Sequence, residues 1–284
     1  MPTLNESLAP PAPRVAALCN EKGGVGKTTS ACLLARAVSV LGLRVLVVDL
    51  DPQGNTTRTL SVDLDALPEL GVAHVLNPHG PAVDLSRVVV SSIWPGVDLA
   101  PSASRALLRE AAGLLSQAQF GRESALARAL EPLIDGADYD LVIVDTPPDL
   151  GHLLINALVA ADAAVPVTEP EEWSADGLGA LLETLSLVGQ HHNPGLLRFG
   201  PLVNQVQRNK RHERIVGTLR AAFPHGWVAE GDLIPQRTAI MDALHAGEGL
   251  DEGDARLRVI GETFARFGRR LLTLEGGVPA YAAA

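Results

Sequence analysis

Cysteine is nearly absent from this chain of 284 residues: there are two, Cys19 and Cys32. They lie in an apolar run and in a helical pattern, so both read as core thiols, with neither a disulfide framework nor a metal-ligand spacing. There is no apolar run of about 18 residues, which excludes a membrane-spanning helix. No long charge-dense or low-complexity segment points to extensive disorder. Positive charge is short as well: 23 basic against 33 acidic residues give a net charge of −10. The surface as a whole therefore repels DNA and anionic membranes, and any nucleic-acid contact needs a local basic patch. Residues 1–13 have neither a basic n-region nor an apolar h-region, so they read as a floppy, disordered lead-in and not as a signal peptide. A cytoplasmic protein is expected.

Apolar content is 46%, enough for one large domain with a real core, placed at 14–275 and followed by a flexible tail at 276–284. Strand-like and helix-like stretches alternate, which predicts an α/β three-layer sandwich around a mostly parallel central sheet. The strands expected are Val15–Cys19, Arg44–Asp49, Arg87–Ile93, Val97–Ala100, Tyr139–Asp145, Ala163–Thr168 and Leu197–Asn204. Pro166 marks an irregularity or an edge in the sixth of these.

The strongest signal is Asn20-Glu21-Lys22-Gly23-Gly24-Val25-Gly26-Lys27-Thr28-Thr29, between an apolar strand and a helical run. Glycines let backbone N–H groups wrap a phosphate, and the helix N-terminus adds partial positive charge. Lys27 can reach the β- and γ-phosphates, and the Thr28 hydroxyl can ligate Mg²⁺. The usual P-loop pattern has glycine where this chain has Glu21. Two further strands end in acids: Asp49 and Asp51 in Asp-Leu-Asp-Pro-Gln-Gly-Asn, and Asp145 before Thr146-Pro147-Pro148. Acids at the carboxyl ends of parallel strands sit where α/β sheets place ligands. Asp145 has the form of a Walker B carboxylate that holds Mg²⁺ through water.

Together these boxes resemble the deviant Walker A ATPases of the ParA/MinD family, most nearly the small ParA/Soj partition type. The resemblance spans Val15 to about Arg270 and implies a P-loop NTPase fold with ATP and Mg²⁺ as cofactors. It makes Gly23, Gly24, Val25, Gly26, Lys27, Thr28 and Thr29 the phosphate cradle. Lys22 becomes the signature lysine that crosses to a partner subunit's nucleotide in an ATP-dependent homodimer. It gives Asp51 the attacking water, places Asp51 beside Thr28 and Asp145 at the metal, and puts Asn204 and Pro235 against the adenine. A carboxylate suits the water, since phosphoryl transfer needs a positioned nucleophile more than a strong base. No role is assigned to Asp149. Trp173 reads as a packing residue.

Arg208, Lys210, Arg211 and Arg214, with Arg220 behind them and Glu213 as the one acid among them, form a basic cluster on a helix. Without interleaved aromatics such a stripe suits phosphate contact more than base reading. In ParA proteins this region is one of those that bind DNA without sequence preference. The resemblance thus implies a nucleoid-associated ATPase stimulated by a ParB-like partner, moving a chromosome or plasmid, with no stable membrane association. It also implies the small type, without the N-terminal DNA-reading domain of larger plasmid relatives. Two alternatives stay open: a MinD-like membrane-cycling ATPase, and a nucleotide-gated DNA-binding scaffold with negligible turnover. The former needs an amphipathic C-terminal helix, for which Phe264–Leu272 is the candidate, read here as an ordinary closing helix.

Overall fold

A computed structural model describes residues 14–171, 174–223 and 233–281. Within them the chain runs β1 (Arg14–Cys19), α1 (Lys27–Ser39), β2 (Val45–Asp49), α2 (Asn55–Leu60), α3 (Val72–Val75), β3 (Val90–Ser91), β4 (Val97–Ala100), α4 (Arg105–Gln117), α5 (Ala125–Asp135) and β5 (Leu141–Asp145). There follow α6 (His152–Ala160), β6 (Ala163–Thr168), α7 (Ser174–His191), β7 (Leu197–Arg198), β8 (Leu202–Val203), α8 (Lys210–Ala222), α9 (Thr238–His245), α10 (Ala255–Thr273) and β9 (Val278–Pro279). The strand order is β3-β4-β2-β5-β1-β6-β7-β9, with β8 also on β6.

The central strands β2, β5, β1 and β6 are parallel and buried along almost their whole length, as strands covered on both faces must be. Their side chains alternate between two cores. Val15, Ala17 and Cys19 of β1 join Leu46, Val48, Val142 and Val144 under α4 to α8, while Ala16 and Leu18 join Val45, Val47 and Ile143 under α1, α9 and α10. The three-layer α/β architecture read from the sequence is the one found. Both thiols are fully buried, one in each core. Burial pushes Cys19 up to about 12 and raises Cys32 well above its ordinary value.

Several boundaries differ from the sequence reading. Leu197–Asn204 is not one strand: Gly200-Pro201 interrupts it, leaving β7 and β8 as two short segments on β6. Pro166 is not at a sheet edge, because β6 has neighbours on both sides. It lies between the residues that pair with β7 (Ala163, Ala164) and those that pair with β8 (Val167, Thr168), where a missing N–H costs least. The stretch expected as a strand over 87–93 is a 3₁₀ turn, Leu85–Arg87, followed by the short β3 antiparallel to β4. Part of the tail expected to be flexible is instead an edge strand: β9 pairs antiparallel with β7, and Ala280 is buried against Gly189. The readings for residues 1–13 and for Trp173 fall outside the described residues.

The apolar stripe of α10 packs on α1: Leu257, Ile260, Phe264, Phe267 and Leu271 are buried, as expected for a closing helix. Gly268 makes this approach possible, since a Cβ there would overlap Val38 on α1. Gly268→Val should cost about 1–3 kcal/mol through overpacking. A thermal melt checks this, and an unchanged midpoint would show that the helix pair has slack.

Candidate nucleotide and magnesium site

The carboxyl ends of β1, β2 and β5 face one cleft of about 540 Å³. Gly23, Gly24, Gly26, Lys27, Thr28 and Thr29 form one wall, Asp51, Gln53 and Asn55 another, and Asn204, Pro235 and Gln236 a third. The loop after β1 can fold so tightly because Gly24 and Gly26 take φ of 82° and 89°, in the left-handed region. A side chain at 26 would also run into the Asn204 amide. α1 starts with Gly26 as its N-cap, without a side-chain capping bond and without an acid in the first turn. The leading amides of α1 therefore keep both their donors and the positive end of the helix dipole for an anion.

Lys27 is buried to 6% exposure and donates to the backbone carbonyls of Asn20 (3.1 Å) and Lys22 (3.2 Å). Burial pulls its ammonium below the ordinary lysine value, while Asp145 and Asp51 pull the other way. Thr28 donates its hydroxyl to Asp145 Oδ2 at 2.7 Å, and Thr56 donates to the same oxygen at 2.6 Å. Among the described residues, Asp145 Oδ1 is buried with no hydrogen-bond partner. Burial pushes the Asp145 carboxyl up to about 6. Its register neighbour Asp49 is pushed up to about 7, by burial first and by Asp145 second. Asp51, at 7% exposure, accepts from the Gln53 amide at 2.8 Å.

This donor set fits a magnesium nucleotide. A fully buried carboxylate oxygen lacking a partner, next to a threonine hydroxyl and a lysine ammonium, is poor at holding itself together and apt for a hydrated divalent cation. Glycines with positive φ and an uncapped helix start suit phosphate oxygens.

Most residues singled out from the sequence converge here, and two, Val25 and Lys22, qualify the reading. Val25 is fully buried in the core, so its side chain does not reach the cleft, and its carbonyl accepts from Asn204 Nδ2 at 3.2 Å. Asn204 and Pro235 line the cleft, with Gln205 beside them, whose side chain donates to the Gly24 carbonyl at 2.7 Å. Lys22 lies off the cleft wall: its ammonium pairs with Glu169 and Glu171 of the same chain. Arg208, Lys210, Arg211 and Arg214 are all exposed around the start of α8, which Asn209 caps. Glu171 is held below its usual value by Lys22 first and by Arg211 and His212 more weakly, so this basic cluster lies near the Lys22 pair. Sequence reasoning missed Thr56 and Thr57, the hydroxyls that engage the buried acids. The signal was two threonines following the Asp-Pro-Gln-Gly-Asn turn at the start of a helix.

A family described as AAA domain matches residues 13–197. An uncharacterised protein of Mycobacterium tuberculosis is 38% identical over 213 residues, covering 72% of this chain and 64% of that protein. The chain thus spans just under two thirds of the length of that relative. The chromosome-partitioning ATPase Soj of Thermus thermophilus is 37% identical over 233 residues, covering 82% of this chain and 85% of that one. Among solved structures, cobyrinic acid a,c-diamide synthase of Mycobacterium smegmatis, with bound ADP and magnesium, superposes with a TM-score of 0.75 at 33% identity, covering 92% of this chain and 94% of that one.

Raised carboxyl pKa values mean that the fold holds protons on Asp49 and Asp145 at pH values where the unfolded chain has released them. The stability this provides is present below the ordinary carboxylate range and is lost as pH rises through about 6 to 7. In EDTA and without nucleotide, the melting temperature should decline across that window. Asp145→Asn should flatten the decline, and a variant with the wild-type slope would contradict the assignment.

Proposed function

The chain belongs to the ParA/Soj branch of the AAA-domain family, and from that premise we propose that it is a partition ATPase that binds ATP with Mg²⁺ and hydrolyses it slowly. The observation that carries this reading is the partnerless buried oxygen of Asp145, set beside Thr28 at an uncapped helix N-terminus. The Gly23–Thr29 loop cradles the phosphates, Lys27 neutralises the β- and γ-phosphates, and Thr28 with Asp145 holds the metal. When bound, magnesium supplies charge neutralisation at the phosphate oxygens. Asp51 orients the attacking water, a task for which position matters more than basicity. Asn204 and Pro235 flank the base.

ATP joins two copies of the chain, with Lys22 reaching the partner's nucleotide. The exposed cations Arg208, Lys210, Arg211 and Arg214 contact DNA phosphates without reading sequence. Each subunit offers few such contacts, so binding is weak and salt-sensitive until dimerisation doubles them. A ParB-like partner stimulates turnover and releases the dimer, and the protein works in the cytoplasm on the nucleoid. The membrane-cycling alternative loses support because the apolar face of α10 is already buried against α1. No described helix is long and apolar enough to cross a membrane.

Asp51→Ala should keep ATP-dependent dimerisation and DNA binding and lose turnover. Light scattering, gel shift and phosphate release on one preparation check all three, and wild-type turnover in that variant would remove the mechanism and leave a nucleotide-gated scaffold. Adding Arg211→Glu should weaken the gel shift without touching dimerisation.

Lys22 must leave Glu169 and Glu171 before it can reach a partner, so these partly exposed ion pairs oppose assembly by an amount on the order of 1 kcal/mol or less. The Glu169→Gln, Glu171→Gln double variant should dimerise at an ATP concentration lower by up to about fivefold. An unchanged midpoint in a sedimentation series over ATP would show that the pairs do not compete with assembly.

A further inference from the structure

Asp51 sits in a loop whose two ends meet on one carboxylate. Asp49, the last residue of β2, is fully buried. Its Oδ1 accepts from the Asp51 amide at 3.1 Å, while its Oδ2 accepts from the Thr57 amide at 2.8 Å and the Thr57 hydroxyl at 2.6 Å. The Thr57 oxygen in turn accepts from the Ser102 amide at 3.1 Å, just beyond the end of β4. Within the loop, Gly54 turns at a φ of 64° and donates its amide to the Asp51 carbonyl at 2.8 Å. Thr56, one residue before Thr57 on the same turn of α2, engages Asp145 at the end of β5. Adjacent hydroxyls on one short helix thus fasten it to the ends of neighbouring strands, Asp49 and Asp145 being register partners.

We propose that Thr57, anchored on Asp49, is a positioning residue that fixes the backbone of Asp51. The inference rests on the ATPase reading above. Asp51 cannot move relative to the cleft without stretching the hydrogen bond from its amide N–H to Asp49 Oδ1, and Asp49 cannot turn without giving up the Thr57 hydroxyl. This hydroxyl bond is buried, where a hydrogen bond is electrostatically stronger than in water. Orienting a water tolerates little displacement, because misplacement of about 1 Å can cost a hundredfold in rate. Thr57 does not line the cleft, so its effect falls on turnover and spares nucleotide binding.

The test compares the full-length wild type, Thr57→Val and Thr57→Ser, the valine being isosteric but without the hydroxyl. Three quantities are measured with Mg²⁺ present: equilibrium affinity for a fluorescent ATP analogue, steady-state phosphate release with duplex DNA, and hydrogen–deuterium exchange over residues 49–57. Thr57→Val should bind within about twofold of wild type, turn over about tenfold more slowly and exchange the Asp51 and Thr57 amides faster. Thr57→Ser should restore turnover and protection. Wild-type turnover and protection in Thr57→Val would overturn the inference, and so would affinity and turnover falling in parallel, which marks general damage to the fold. A wild-type chain that binds the analogue but releases no phosphate would remove the ATPase reading itself, and the positioning role of Thr57 with it. Turnover intact in both wild type and Thr57→Val removes the inference alone.

Discussion

Placing a lysine ammonium and two carboxylates together at the dry ends of three parallel strands is the constraint from which most of this structure follows. Lys27, Asp145 and Asp49 are each nearly or completely removed from water, where an isolated charge would be prohibitive. The chain meets that cost with short-range donors and acceptors: carbonyls of Asn20 and Lys22 for the ammonium, hydroxyls of Thr28 and Thr56 for one acid, amides and the Thr57 hydroxyl for the other. One lone pair set, on Asp145 Oδ1, is left without any of these. A site arranged in this way is less stable empty than filled, and a ligand bringing both cation and anion relieves it.

The sheet explains why those groups share one edge. β1, β2 and β5 run in parallel and in register, so Leu18, Asp49 and Asp145 end level with one another. The loops that follow all emerge on the same side. On that side α1 and α2 present their N-termini, and both follow a glycine in the left-handed region. Helix dipoles, glycine turns and strand-end acids are therefore consequences of one topological choice.

How much of this the sequence disclosed depends on how far apart the interacting residues lie. The Lys22–Thr29 loop and the acid-terminated strands were legible because each is a contiguous pattern with its own local chemistry. The three-layer fold was legible from fully apolar strands such as Val45–Val48, which only burial on both faces explains. The pairing of Lys22 with Glu169 and Glu171 was not, since those residues lie 147 and 149 positions away and nothing local marks them. The division at Gly200-Pro201 was written in the chain, but a run of apolar residues on either side outweighed it. β9 escaped because Val278-Pro279 becomes a strand only through pairing with β7, a context that a short Gly-rich tail does not announce.

Both native thiols lie where no solvent-borne reagent meets them, one in each core, with burial holding them in the protonated, unreactive form. The molecule is for that reason a ready host for site-directed spectroscopy. A single cysteine introduced on the exposed side of α8 would accept a fluorophore or spin label against a silent background, and the native pair could stay in place.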